Sequence, residues 1–128
     1  MTVATPEQQT FPPIEVWENK HSDRDYTITI SVPEYTAVCP MTGLPDFGTI
    51  QIEYIPDKTC IELKAFKYYI LAYRNCGIFY ENAVNKILTD IVKACNPRYL
   101  NVTGNFTSRG GISTSVEVEH YQPQYQVG

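Results

Sequence analysis

Residues 50–70 read Ile50-Gln51-Ile52-Glu53-Tyr54-Ile55-Pro56-Asp57-Lys58-Thr59-Cys60-Ile61-Glu62-Leu63-Lys64-Ala65-Phe66-Lys67-Tyr68-Tyr69-Ile70, and the apolar period changes inside this stretch. Ile50, Ile52 and Tyr54 alternate with Gln51 and Glu53, which predicts a strand with one buried face. Pro56-Asp57-Lys58 predicts the turn that ends it. From Glu62 the apolar residues Leu63, Phe66, Ile70 and Tyr73 fall at helical spacing, through Asn75. A strand followed directly by a helix, with no long linker, sets the frame for both flanks.

On the N-terminal side, Tyr26, Ile28, Ile30 and Val32 alternate with Thr27, Thr29 and Ser31, a second half-buried strand. On the C-terminal side, Cys76-Gly77 breaks the first helix. A second helix from about Tyr80 carries Val84, Ile87, Leu88, Ile91, Val92 and Cys95 on one face and stops before Pro97. Leu100, Val102 and Phe106, then Ile112, Thr114, Val116 and Val118, form a closing hairpin around Arg109-Gly110-Gly111. The order strand-strand-helix-helix-strand-strand gives an α+β class: a four-stranded antiparallel sheet with two helices on one face. Residues 1–20, with Thr, Gln and three prolines, read as a flexible arm; residues 21–120 form the domain and 121–128 a short tail. The second sheet face is polar and both edges are open, which is awkward for a monomer. Edge-to-edge closure of several copies into a barrel removes the difficulty and places sites between subunits.

The net charge of −4 argues against a basic nucleic-acid groove as the main function. No basic start with an apolar core marks a signal peptide, and no apolar run approaches the ~20 residues needed to cross a bilayer. The expectation is a cytoplasmic protein with reduced thiols and no membrane partner. Cys39, Cys60, Cys76 and Cys95 form no CxxC pair, and His21 and His120 are far apart, so no metal site is expected. Cys60 and Cys95 sit in apolar stretches as buried thiols, and Cys76 lies near a helix end whose dipole disfavours thiolate.

Three groups of residues could carry chemistry. Val38 to Gly48 holds Cys39 and Asp46 among two prolines and a glycine, a stiffened turn able to set a thiol and a carboxyl against one small volume. A thiolate is a strong nucleophile and a carboxyl can move a proton to what sulfur attacks; the bland alternative is a Pro-rich surface turn. Lys64 and Lys67, three apart at a helix start, repel each other and oppose the dipole, which an anionic phosphate relieves; a solvated basic face competes equally. Glu81, in the first turn of the second helix, is explained by the dipole alone or by a clamp on a guanine-like edge, whose ring N–H and amino group match two carboxylate oxygens.

Together these pieces resemble the single-domain NADPH-dependent 7-cyano-7-deazaguanine reductases, the nitrile reductases of queuosine biosynthesis and so of tRNA modification. The resemblance runs from about Asp23 to His120 and rests on Val-Cys-Pro-Met-Thr-Gly-Leu-Pro-Asp-Phe-Gly, Ile-Glu-Leu-Lys-Ala-Phe-Lys-Tyr-Tyr, Tyr-Arg-Asn before Glu81, Pro-Arg-Tyr and Ser-Arg-Gly-Gly. It implies a tunnelling fold, a homo-oligomer that is a decamer of two face-to-face pentamers, and active sites at subunit contacts. It implies a four-electron reduction of a nitrile with two NADPH, Cys39 as nucleophile forming a thioimide and Asp46 as proton donor. Ile61, Glu62, Leu63, Tyr80 and Glu81 would contact the substrate, 7-cyano-7-deazaguanine. Lys64 and Lys67 fall in the family's cofactor signature, and Arg109 and Gly110 of the Ser-Arg-Gly-Gly turn join them as NADPH-binding residues. One departure stands out: the family usually has His-Glu where this chain has Tyr80-Glu81. A tyrosine donates a hydrogen bond but, with a pKa of ~10, is a poor proton source at neutral pH. The alternatives are therefore a covalent-binding protein or an amidine-forming homologue with weakened reductase activity. A zinc-dependent pterin-ring enzyme of the same fold lacks its histidine ligands here.

Overall fold

The alternation over residues 50–54 belongs to a strand of twice that length. The computed structural model describes residues 3–125, apart from the side chains at 108 and 109. In chain order its elements are β1 (Val16–Glu18), β2 (Ile28–Val38), β3 (Pro45–Ile55), β4 (Thr59–Ile61), α1 (Leu63–Leu71), a 3-10 turn (Ala72–Asn75), α2 (Tyr80–Cys95), β5 (Tyr99–Arg109) and β6 (Ile112–Tyr121). The main sheet is antiparallel in the order β2-β3-β5-β6, so the expected α+β class and strand-strand-helix-helix-strand-strand plan are present.

One face of this sheet is aliphatic and aromatic. Tyr35, Ala37, Ile50, Ile52, Tyr54, Leu100, Val102 and Phe106 are buried there. Phe66, Tyr69, Ile70 and Tyr73 from the first helical segment and Ala83, Val84, Ile87, Ile91 and Cys95 from α2 complete the core against it. The opposite face carries exposed Gln51, Glu53, Asn105, Ser115, Glu117 and Glu119. α2 ends where Asn96 adopts φ 43°, the left-handed cap that precedes Pro97. Among the described residues, no helix is long and apolar enough to cross a membrane.

Several elements depart from the sequence reading. β2 does not stop at Val32: a bulge between Val32 and Tyr35 absorbs Pro33, which has no N–H to give the ladder, and the strand then continues to Val38. Pro45 to Gly48, expected in the turn, is the start of β3, so only residues 39–44 form the loop. The first helix tightens into the 3-10 turn after Leu71 rather than running as one helix to Asn75. Leu63, expected on its buried face, is 61% exposed because the helix begins there with its side chain outside the sheet.

Residues 3–20, expected as an arm, lie along the domain at three points. β1 pairs with β4, a second two-stranded sheet, and Trp17 Nε1 donates to the Ile61 carbonyl at 3.2 Å. The Phe11 ring packs 4.8 Å from that of Tyr73, and Gly77 N–H donates to the Ala4 carbonyl at 2.8 Å. No period announces these contacts, since each is a single residue meeting its own site. At the other end, Gln122 Nε2 donates to the Asn96 carbonyl and to Asp57, which Arg98 also holds.

Phe106 shows how tight the core is beside the site. A Cβ on Gly104 would lie 2.7 and 2.8 Å from its ring and 2.8 Å from Val84, closer than real contacts allow. Gly104→Ala is therefore expected to destabilise the protein by about 1–3 kcal/mol in urea denaturation. Unchanged stability would mean that the Phe106 ring is free to move.

Candidate active site

The turn between β2 and β3 begins at Cys39. Cys39 N–H donates to the Leu44 carbonyl and Gly43 N–H to the Cys39 carbonyl, both at 2.9 Å, with Gly43 at φ 73°. Leu44 N–H donates to Thr42 Oγ1 at 3.2 Å. The turn is thus closed on itself, and its base is tied to the segment before α2. Val38 N–H donates to the Cys76 carbonyl at 3.0 Å, and Ile78 N–H donates to the Val38 carbonyl at 3.1 Å. These bonds set Cys39 beside the start of α2.

A cleft of about 500 Å³ opens there, lined by Cys39, Thr42, Leu44, Asp46, Phe79, Tyr80 and Gly110. Asp46 is on β3, on the core-facing side, and is only 6% exposed. A buried carboxyl needs polar partners, and Tyr80 Oη donates to Asp46 Oδ1 at 3.0 Å. The Tyr80 ring in turn stacks on Phe106, with centroids 4.0 Å apart and 12° between the planes.

The thiol of Cys39 is held below its ordinary range. The main cause is a hydrogen bond from the Thr42 side chain, followed by the backbone N–H groups of Thr42 and Met41; burial and the charge of Asp46 oppose them. Donors converging on sulfur stabilise thiolate. Burial instead pushes the Cys76 thiol up, and Cys95 up to about 12.

The remaining candidates lie elsewhere on the chain. Ile61 is buried at the end of β4, and Leu63 is exposed. Glu62 caps α1, its Oε2 accepting from Ala65 N–H at 2.5 Å, so a carboxylate already supplies the negative charge expected at that helix start. Glu62 and Lys64 border a second cleft of about 470 Å³ with Pro12, Pro13 and Tyr68. Lys67 borders a different groove, about 410 Å³, between α1 and Ile30 and Val32 of β2. The two lysines, read as sharing a face, therefore flank α1. Glu81 is exposed in the first turn of α2, beside the cleft but not lining it. The side chain of Arg109 lies outside the described residues; Gly110 is in the cleft with Cys39.

One chain thus gathers Cys39, Asp46, Tyr80 and Gly110, and leaves Ile61, Glu62, Leu63, Lys64 and Lys67 at other surfaces. The sequence reading missed Thr42 and Phe106. A hydroxyl residue just before a turn glycine, three after a cysteine, is a weak but usable signal for the first. The second depended on cross-strand register, with Phe106 opposite Gly48, which no local pattern gives.

The family model described as "QueF-like protein" matches residues 45–125, more than half of the chain. A protein of Chlorobaculum tepidum named NADPH-dependent 7-cyano-7-deazaguanine reductase is 59% identical over 107 residues, covering 84% of this chain and 92% of the relative. A protein of the same name from Elusimicrobium minutum is 60% identical over 112 residues, covering 88% and 83%. Among solved structures, the apo crystal structure of the archaeosine synthase QueF-Like superposes with a TM-score of 0.68 at 26% identity, over 73% of this chain and 91% of that one. With a family model matching more than half of its length and relatives at 59% and 60% identity over most of it, this chain belongs to the QueF-like family.

Proposed function

We propose that the protein is an NADPH-dependent nitrile oxidoreductase that converts 7-cyano-7-deazaguanine to 7-aminomethyl-7-deazaguanine, for queuosine in tRNA, through a thioimide on Cys39. The observation that carries this reading is the cleft itself: a thiol with a lowered pKa and a buried carboxyl line the same small volume. The names of the similar reductases supply the substrate and the cofactor.

A nitrile accepts hydride poorly, so its carbon must first be made more electrophilic. Cys39 thiolate adds to the nitrile carbon; a C–S bond forms, one C–N π bond breaks, and its electron pair goes to nitrogen. Asp46 gives nitrogen the proton. When bound, NADPH would supply the two hydrides that the C=N carbon takes, one before and one after the C–S bond breaks, and the nitrogen would take its last proton from solvent. Cys39 leaves as thiolate after the first reduction and is regenerated for the next turnover.

Lys64 and Lys67 are exposed and cationic, which fits the phosphates of NADPH. Since Glu62 already caps α1, phosphate recognition falls to the lysine side chains, with Arg109 and Gly110, rather than to free helix N–H groups. Glu81 takes the guanine-like edge, and Ile61, Glu62 and Leu63 come from a neighbouring subunit of a homo-oligomer, a decamer of two pentamers in the cytoplasm. The split of these residues between separate clefts supports an intersubunit site. A second reading, an amidine-forming enzyme in which ammonia attacks the thioimide, is favoured by the likeness to the archaeosine synthase structure.

Incubation with the nitrile base separates the readings. The parent is expected to consume two NADPH per amine formed, and Cys39→Ala to lose both NADPH oxidation and the mass adduct seen on intact protein. An adduct that ammonia discharges without NADPH loss would replace the reductase by the amidine former. Thr42→Val removes a donor that stabilises thiolate, so the Cys39 pKa rises. Alkylation of Cys39 should then begin at a pH higher by roughly one unit. An unmoved alkylation profile would take Thr42 out of thiol activation.

A further inference from the structure

The acid of the proposed reaction is held by a column of contacts that begins at two glycines. Gly48 on β3 and Gly104 on β5 lie under the Phe106 ring; a Cβ on Gly48 would come within 2.7 Å of that ring and of the Asn105 carbonyl, and one on Gly104 within 2.7 Å of the ring. Tyr35 closes the ring on another side, edge-on at 71° with centroids 5.9 Å apart. The free face of Phe106 receives Tyr80 in a near-parallel stack. With its ring held in this stack, Tyr80 donates its hydroxyl to Asp46 Oδ1 at 3.0 Å.

We infer that Tyr80 and Phe106 are positioning residues for the Asp46 acid, Phe106 fixing the Tyr80 ring and the Tyr80 hydroxyl fixing the carboxyl and stabilising its charged form. The inference rests on the function proposed above. A phenol is a donor throughout the neutral range. As Asp46 passes its proton to the nitrile nitrogen, the O–H bond of the carboxyl breaks and negative charge grows on the carboxylate. The hydrogen bond from Tyr80 becomes charge-assisted at that moment and strengthens. It is thus stronger in the transition state than in the ground state, the condition for accelerating the step. Tyr80 acts on the acid and not as a proton source, so a residue with a pKa too high to replace a histidine as acid still serves the reaction.

Among the described side chains, the titratable groups facing Asp46 are Cys39 from the turn, Tyr35 from β2 and Tyr80 from α2, with Cys76 behind Tyr35. Burial raises Tyr35 and Cys76, so both stay neutral in the working range. Tyr80→Phe keeps the stack and removes the donor, so adduct formation should slow roughly tenfold. Because the hydroxyl acts through the carboxyl, Tyr80→Phe should add nothing to the loss already caused by Asp46→Asn, a non-additivity read in the double variant. Phe106→Leu keeps the hydroxyl but frees the ring, and should slow the same step by less, again with no further loss in the Asp46→Asn background.

A purely structural role would slow the Asp46→Asn background as much as it slows the parent; that result overturns the inference while leaving the proposed function standing. Failure of the parent to form any adduct removes both. The measurement is intact-protein mass against time, on the full chain without NADPH.

Discussion

Two backbone hydrogen bonds join what the chain order keeps apart. Val38 ends β2, and Cys76 to Ile78 leads into α2; Val38 gives its N–H to Cys76 and takes one from Ile78. Without that link, the turn that starts at Cys39 would be the tip of a hairpin projecting into solvent. With it, Cys39 lies beside Phe79 and Tyr80, and the cleft acquires a second wall from α2. They bridge the end of β2 to the short extended segment between the 3-10 turn and α2. They are also indifferent to side-chain identity, so the position of the thiol is set by topology.

From there the site is stiffened by complementary means. The turn closes through its own backbone and the Thr42 hydroxyl, which accepts from Leu44 and donates to sulfur. Asp46 is held from the helix side, through a tyrosine whose ring rests on Phe106. Thiol and carboxyl therefore belong to different rigid bodies, the turn and the sheet-helix layer, which meet across the cleft. The charge of Asp46 opposes thiolate formation on Cys39.

Periodicity carried the fold. Strand alternation over Ile50–Tyr54 and helical spacing from Val84 to Cys95 reflect burial directly, and the two buried faces are where the pattern placed them. Pro33 hid the second half of β2, because a proline inside a run ordinarily ends a strand and here only bulges it. The contacts of residues 3–20 were invisible for the opposite reason: Ala4, Phe11 and Trp17 dock at separate points, and contacts so scattered have no period. The thiol and the carboxyl were legible as a pair because they lie seven residues apart on one hairpin. The Tyr80–Asp46 bond was not, since 34 residues and a change of element separate them. Glu62 was legible only through the family resemblance, as a substrate contact and not as a cap; the structure has its carboxylate accept from Ala65 N–H.

The exposed apolar residues bear on the proposed assembly. Met41, Leu44, Phe79 and Ile112, 80%, 53%, 44% and 73% exposed, belong to the turns and helix start around the cleft that holds Cys39. Leu63 and Leu71, 61% and 41% exposed, border the groove beside α1. Scattered singly, such residues need no account, but two sets of them at separate surfaces of one chain suit a head-to-tail contact, in which unlike patches meet and a ring closes. In the proposed oligomer the Ile61–Leu63 segment of one copy then covers the Cys39 cleft of the next. Covering matters to the proposed chemistry, because an imine is spared hydrolysis where water is displaced. A lone subunit has the Cys39 thiol and the Asp46 carboxyl on one open cleft. On this reading, assembly contributes the desolvation that lets a thiol and a carboxyl act together on a carbon–nitrogen triple bond.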